Sequence, residues 1–66
     1  MTNQSFPHKP NLTFDEAVQV WLLHWDGHIQ SEIAAHFPTN QGRVNEILNL
    51  KNHVGSREAA LNKRSA

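Results

Sequence analysis

Gln30-Ser31-Glu32-Ile33-Ala34-Ala35-His36-Phe37-Pro38-Thr39-Asn40-Gln41-Gly42-Arg43-Val44-Asn45-Glu46-Ile47-Leu48-Asn49 is the stretch that decides the fold. It divides into two short helices joined by a tight turn. Ile33, Ala34 and Phe37 fall at helical spacing and share one face, and Val44, Ile47 and Leu48 do the same in the second half. Between them, Pro38 disfavours helical geometry at Phe37. Asn40 is an N-cap residue, because its side chain accepts a bond from a free backbone N–H in the following turn.

Upstream, Thr13-Phe14-Asp15-Glu16 has the form of a capping box, with Thr13 as N-cap and Glu16 reaching back to its N–H. Acids in the first turn also suit the helix dipole. The helix so begun runs from about Phe14 to Asp26, and Gly27 stops it in the C′ position. Phe14, Val18, Trp21, Leu22 and Trp25 form one apolar stripe along it. The expected core is this stripe with Ile29, Ile33, Ala34, Phe37, Val44, Ile47 and Leu48. Residues 1–12 are polar, hold two prolines and show no period, which predicts a flexible N-terminal arm. Residues 51–66 form a basic C-terminal tail. Ser56 there is placed to cap a short fourth helix through Leu61, with Lys63 to Ala66 frayed. The fold expected is all-α: a small three-helix unit over residues 13–50 with flexible termini.

The pattern in residues 30–49 resembles the helix-turn-helix of small bacterial and phage DNA-binding proteins. The likeness is greatest to the DNA-binding domains of resolvases, invertases and related transposases. Ile33-Ala34 matches the apolar residue and small alanine of that family's first helix. Phe37 matches the apolar residue that ends it, and Val44 and Ile47 match the two anchors of the recognition helix. The family has glycine in the turn where Pro38 stands. Proline does not supply glycine's left-handed conformation, so the turn is expected to be built differently or to be longer. The resemblance implies a homeodomain- or resolvase-like fold, double-stranded DNA as partner, and a small transcription regulator of bacterial or phage type.

Sixty-six residues allow one small domain, and with no cysteine no disulfide supports it. No apolar run approaches the roughly 20 residues of a membrane span. The first residues lack the charged start and apolar core of a signal peptide, and a cytoplasmic location is expected. Formal net charge is zero, but its distribution is uneven. Residues 13–40 carry Asp15, Glu16, Asp26 and Glu32 with no lysine or arginine, a sum of −4. Residues 41–66 carry Arg43, Lys51, Arg57, Lys63 and Arg64 against Glu46 and Glu58, a sum of +3. Positive charge therefore collects on and after the third helix, where phosphate binding needs it.

The face of the third helix opposite Val44, Ile47 and Leu48 carries Gly42, Asn45, Glu46 and Asn49, flanked by Gln41 and Arg43. Asn and Gln read adenine through paired bonds, Arg reads guanine or holds a phosphate, and Glu accepts from cytosine. Gly42 costs roughly 1 kcal/mol in a helix interior; close approach of a DNA edge gives a reason for it. With Asn40 and Lys51 these form the candidate DNA-binding set, against the plain alternative of a solvated helix face. Trp21 and Trp25 are core residues by spacing rather than base-stacking platforms. His24 and His28 are four apart, but Gly27 breaks the helix and no further ligand supports a metal site. His36 and His53 are surface residues able to donate to phosphate. Val20 and Leu23 fall outside the core stripe and suggest a homodimer or protein contact through the first helix. No nucleophile–base pair, phosphate loop or paired carboxylate stands out, so neither an enzyme nor a cofactor is expected. The competing reading is a protein-interaction module of the same shape that binds no DNA.

Overall fold

The computed structural model describes residues 11–65. They form four helices and no strand: α1 (Phe14–Trp25), α2 (Gln30–His36), α3 (Gln41–Leu48) and α4 (Ser56–Ser65). The all-helical class agrees with the sequence pattern; beside the three helices expected over residues 13–50, the helix placed at Ser56 in the tail is a full fourth element, α4. Residues 1–10 of the expected flexible arm lie outside the described residues. Leu12, assigned to that arm, is buried, and its carbonyl oxygen accepts from His53 Nε2 at 2.6 Å. His53 is therefore engaged with the chain rather than held out to solvent.

Helix starts follow the sequence closely. The Thr13 hydroxyl accepts from Glu16 N–H at 3.1 Å, and the Glu16 carboxylate accepts from Thr13 N–H at 2.9 Å. Both arms of the capping box are made. Asn40 Oδ1 accepts from Arg43 N–H at 3.0 Å and caps α3. α2 has Ile29 in the N-cap position. Isoleucine has no acceptor, so only the reciprocal arm exists, from Ile29 N–H to Glu32 Oε1 at 3.2 Å.

The helix ends share one device. After α1, His28 N–H reaches Leu23 O and Gly27 N–H reaches His24 O, the two bonds of a Schellman motif. Gly27 takes the C′ position at φ 100°. α3 ends in the same way: Lys51 N–H bonds Glu46 O and Leu50 N–H bonds Ile47 O, with Leu50 at φ 59°. α2 makes the outer bond, Thr39 N–H to Ala34 O at 3.0 Å. Its C′ residue is Pro38 at φ 25°, and proline has no N–H for the inner bond. Proline in this turn predicts a backbone that avoids positive φ. Instead the chain takes positive φ there, at the position a glycine would favour.

α1 is the central helix. It packs most extensively on α4 and also contacts α3 and α2, while α2 and α3 pack on each other. Ala17, Val18, Val20 and Trp21 are all buried. This corrects the single-stripe reading of α1. Val20, assigned to an outer face, is 0% exposed, and Leu23 is partly buried against the core. One stripe serves a helix with one neighbour; α1 has neighbours on two sides. Val20 therefore offers no surface to the expected helix 1 contact, and Leu23 offers only part of its side chain. Two expected core residues are exposed: Phe14 at 46% and Ile29 at 63%. Both sit at helix starts, where the neighbouring turn is missing. Phe14 sets its ring edge-on to His53, with centroids 6.1 Å apart.

α4 is anchored through α1. Ser56 and Ala60 are fully buried, and the Trp21 indole Nε1–H donates to Ser56 Oγ at 3.0 Å. The helix continues to Ser65, so Lys63, Arg64 and Ser65 of the stretch expected to fray are helical. Leu61 is 37% exposed and Val54 63% exposed; neither docks on the core.

Candidate nucleic-acid interface

α3 is fixed from beneath. Val44 and Ile47 are essentially inaccessible, and Ala34 of α2 is buried with them. A small residue at Ala34 lets α2 and α3 pack closely, since each added methylene in a dense core demands room. With its apolar side committed, α3 turns Gln41, Gly42, Asn45 and Asn49 to solvent.

The eight candidate residues do not all present free chemistry. The Asn40 side chain is occupied as the α3 cap. Gly42 has a local explanation: a Cβ built there would lie 3.0 Å from Asn40 Oδ1. The glycine keeps room for the capping carboxamide, which makes close approach of a ligand unnecessary as its reason. Asn49 folds back, donating from Nδ2 to Asn45 O at 2.8 Å. Arg43 and Glu46 form an ion pair, Nη1 to Oε1 at 3.0 Å, with both side chains 38% exposed. Arg43 Nε is buried without a hydrogen-bond partner. Two charges assigned to the DNA face thus offset each other along the helix side. Gln41, Asn45 and Lys51 are exposed, and among the described residues none of their side chains has a partner.

The histidines are dispersed. His28 Nδ1 lies 3.4 Å from Glu32 and Nε2 lies 3.6 Å from Asp26. The two carboxylates approach opposite ring nitrogens and do not converge on one point. Among the described residues, no group of three His, Cys, Asp or Glu side chains is placed to hold a metal ion. His36 sets its ring edge-on to Phe37 at 4.8 Å.

Basic residues outside the candidate set are also ordered. Arg57 of α4 lies over the rings of Trp21 and Trp25, at 5.8 and 6.0 Å, and Arg64 lies over Trp25 at 5.4 Å. The sequence signal for this is the seven-residue spacing of two arginines beside a tryptophan pair four apart. It is hidden because the tail shows no apolar stripe strong enough to fix a helix.

Comparison with known protein families, curated proteins and solved structures finds no match for this chain. No helix among the described residues is long and apolar enough to cross a membrane.

Proposed function

We propose that this chain is a helix-turn-helix protein that binds double-stranded DNA, with α3 lying in the major groove. The observation that carries the reading is the pair Gln41 and Asn45. These two amide side chains stand one turn apart on the outer face of α3, exposed and without internal partners among the described residues. Amides in that position supply the paired donor and acceptor that adenine offers in the major groove. A helix with side chains is about 10–12 Å across and the groove about 12 Å wide. Lys51, just past the α3 C-terminus, supplies a phosphate contact. The left-handed turn after α2, the buried Ala34 and the Val44–Ile47 anchors support the same motif. A protein of this kind acts as a small transcription regulator. The Arg43–Glu46 pair must open before Arg43 reaches a base, so Asn45 rather than Arg43 carries discrimination.

The test is an NMR titration with mixed-sequence duplexes at low ionic strength. Amides of α3 should shift, and Asn45→Ala should reduce discrimination at one base pair by roughly 1–3 kcal/mol, with Gln19→Ala on α1 as an inert control. Amides of α3 unmoved by any duplex would refute the proposal. A second reading, a protein-interaction module, draws on one observation: Phe14 and Val54 are exposed by 46% and 63%. The Phe14 ring also borders Gly55, next to Val54. Shifts confined to Phe14 and Val54 on adding a partner protein, with none in α3, would favour it.

A further inference from the structure

We infer that Arg57 and Arg64 of α4 form a second contact to the nucleic-acid backbone, each guanidinium held ready on a tryptophan face. This rests on the DNA-binding reading of α3 and extends it to an element outside residues 13–50. The two arginines are seven residues apart, so they lie within about 20° of each other around α4 and about 10 Å apart along it. Both side chains are exposed, and among the described residues neither has a carboxylate partner.

The tryptophans do the ordering. At 5.4–6.0 Å from an indole centroid the guanidinium carbon is within cation–π range, a contact that uses no guanidinium N–H as a hydrogen-bond donor to a carboxylate. The N–H edge matches the two oxygens of a phosphate, a bidentate geometry lysine does not offer. An arginine that already rests against an indole loses less side-chain entropy on binding than one free in solvent. α4 carries Arg57, Lys63 and Arg64 against a single acid, Glu58. Asp26 borders the same shallow hollow as Arg64 and Trp25 and repels phosphate. The contact is therefore limited to the two guanidinium edges and does not extend as a track toward α2.

The test is the salt dependence of duplex affinity for the whole chain between about 50 and 200 mM salt. Each phosphate contact adds about 0.9 to the slope of log affinity against log salt, or about 3.5-fold in affinity over that range. Arg57→Gln and Arg64→Gln should each lower the slope by about one unit, and the double variant by about two, equally for all duplex sequences. Arg57→Lys with Arg64→Lys keeps the charge but not the stacked fork, and should retain most of the slope while weakening affinity. Amide dispersion reports that the variants fold. If the double Gln variant folds and its duplex shifts α3 amides with an unchanged slope, the α4 contact is overturned and the α3 reading stands. If no duplex binds the wild-type chain, both fall together.

Discussion

Ser56→Ala tests whether α4 is an integral part of this fold. Ser56 is 0% exposed and its hydroxyl accepts the Trp21 indole N–H at 3.0 Å. Removing the hydroxyl leaves a buried donor with nothing to bond, which costs about 1–3 kcal/mol. Alanine is a slightly better helix former than serine, which returns at most about 0.5 kcal/mol. A 66-residue domain has a total stability of about 3–10 kcal/mol at the usual per-residue value, so the loss is a large fraction. For a domain this size each kcal/mol moves the midpoint by about 4–8 °C. Thermal unfolding followed by circular dichroism should therefore show Ser56→Ala several degrees or more below wild type. Trp21→Phe removes the donor instead, and the double variant should lose less than the sum of the two single losses, because no orphaned polar atom then remains. The indole protons give an independent signal. That of Trp21 should exchange with solvent more slowly than that of Trp25, and faster once Ser56 is alanine. A Ser56→Ala midpoint within about 1 °C of wild type, or strict additivity in the cycle, would refute the reasoning.

Further outcomes are expected. Ending the chain after Gly55 strips Trp21 and Val18 of their α4 cover and should abolish the cooperative transition; a truncated chain with native amide dispersion would show that residues 13–50 fold alone. Gly27→Ala, at φ 100°, should lower the midpoint through a loss of about 1–2 kcal/mol in stability.

Features set by near neighbours are legible in the sequence itself. The capping box at Thr13, the Asn40 cap and the Gly27 stop each involve residues within a few positions, and each is found. So are the buried faces of α2 and α3, which have a single main partner each. What escapes depends on contacts between distant residues. Trp21 and Ser56 are 35 positions apart and His53 and Leu12 are 41 apart. Nothing in local pattern fixes such pairs. Val20 is misplaced by a pattern that allows α1 one apolar side when it has two. The α4 sequence carries only alanines and a serine toward α1, too weak an apolar signal to mark a packed helix, yet small residues are what close packing against Trp21 requires.

The candidate site is legible as a set of residue types but not as a set of free groups. Asn, Gln, Gly and Arg on one helix face look equivalent in sequence, and packing then gives them separate duties. Asn40 and Gly42 belong to one capping arrangement, Asn49 to the helix end, and Arg43 with Glu46 to an ion pair. The neutral total charge follows the same logic. Acids concentrate at the starts of α1 and α2, where Glu16 and Glu32 accept backbone N–H groups, while the bases without a carboxylate partner among the described residues stand beyond α3. An acid at a helix start is tied to the local backbone, and beyond about 10 Å its field is largely screened at physiological salt. A phosphate approaching Lys51, Arg57 or Arg64 therefore meets a locally positive surface on a chain whose net charge is zero, and the salt slope rather than the isoelectric point is the measure of its affinity for a polyanion.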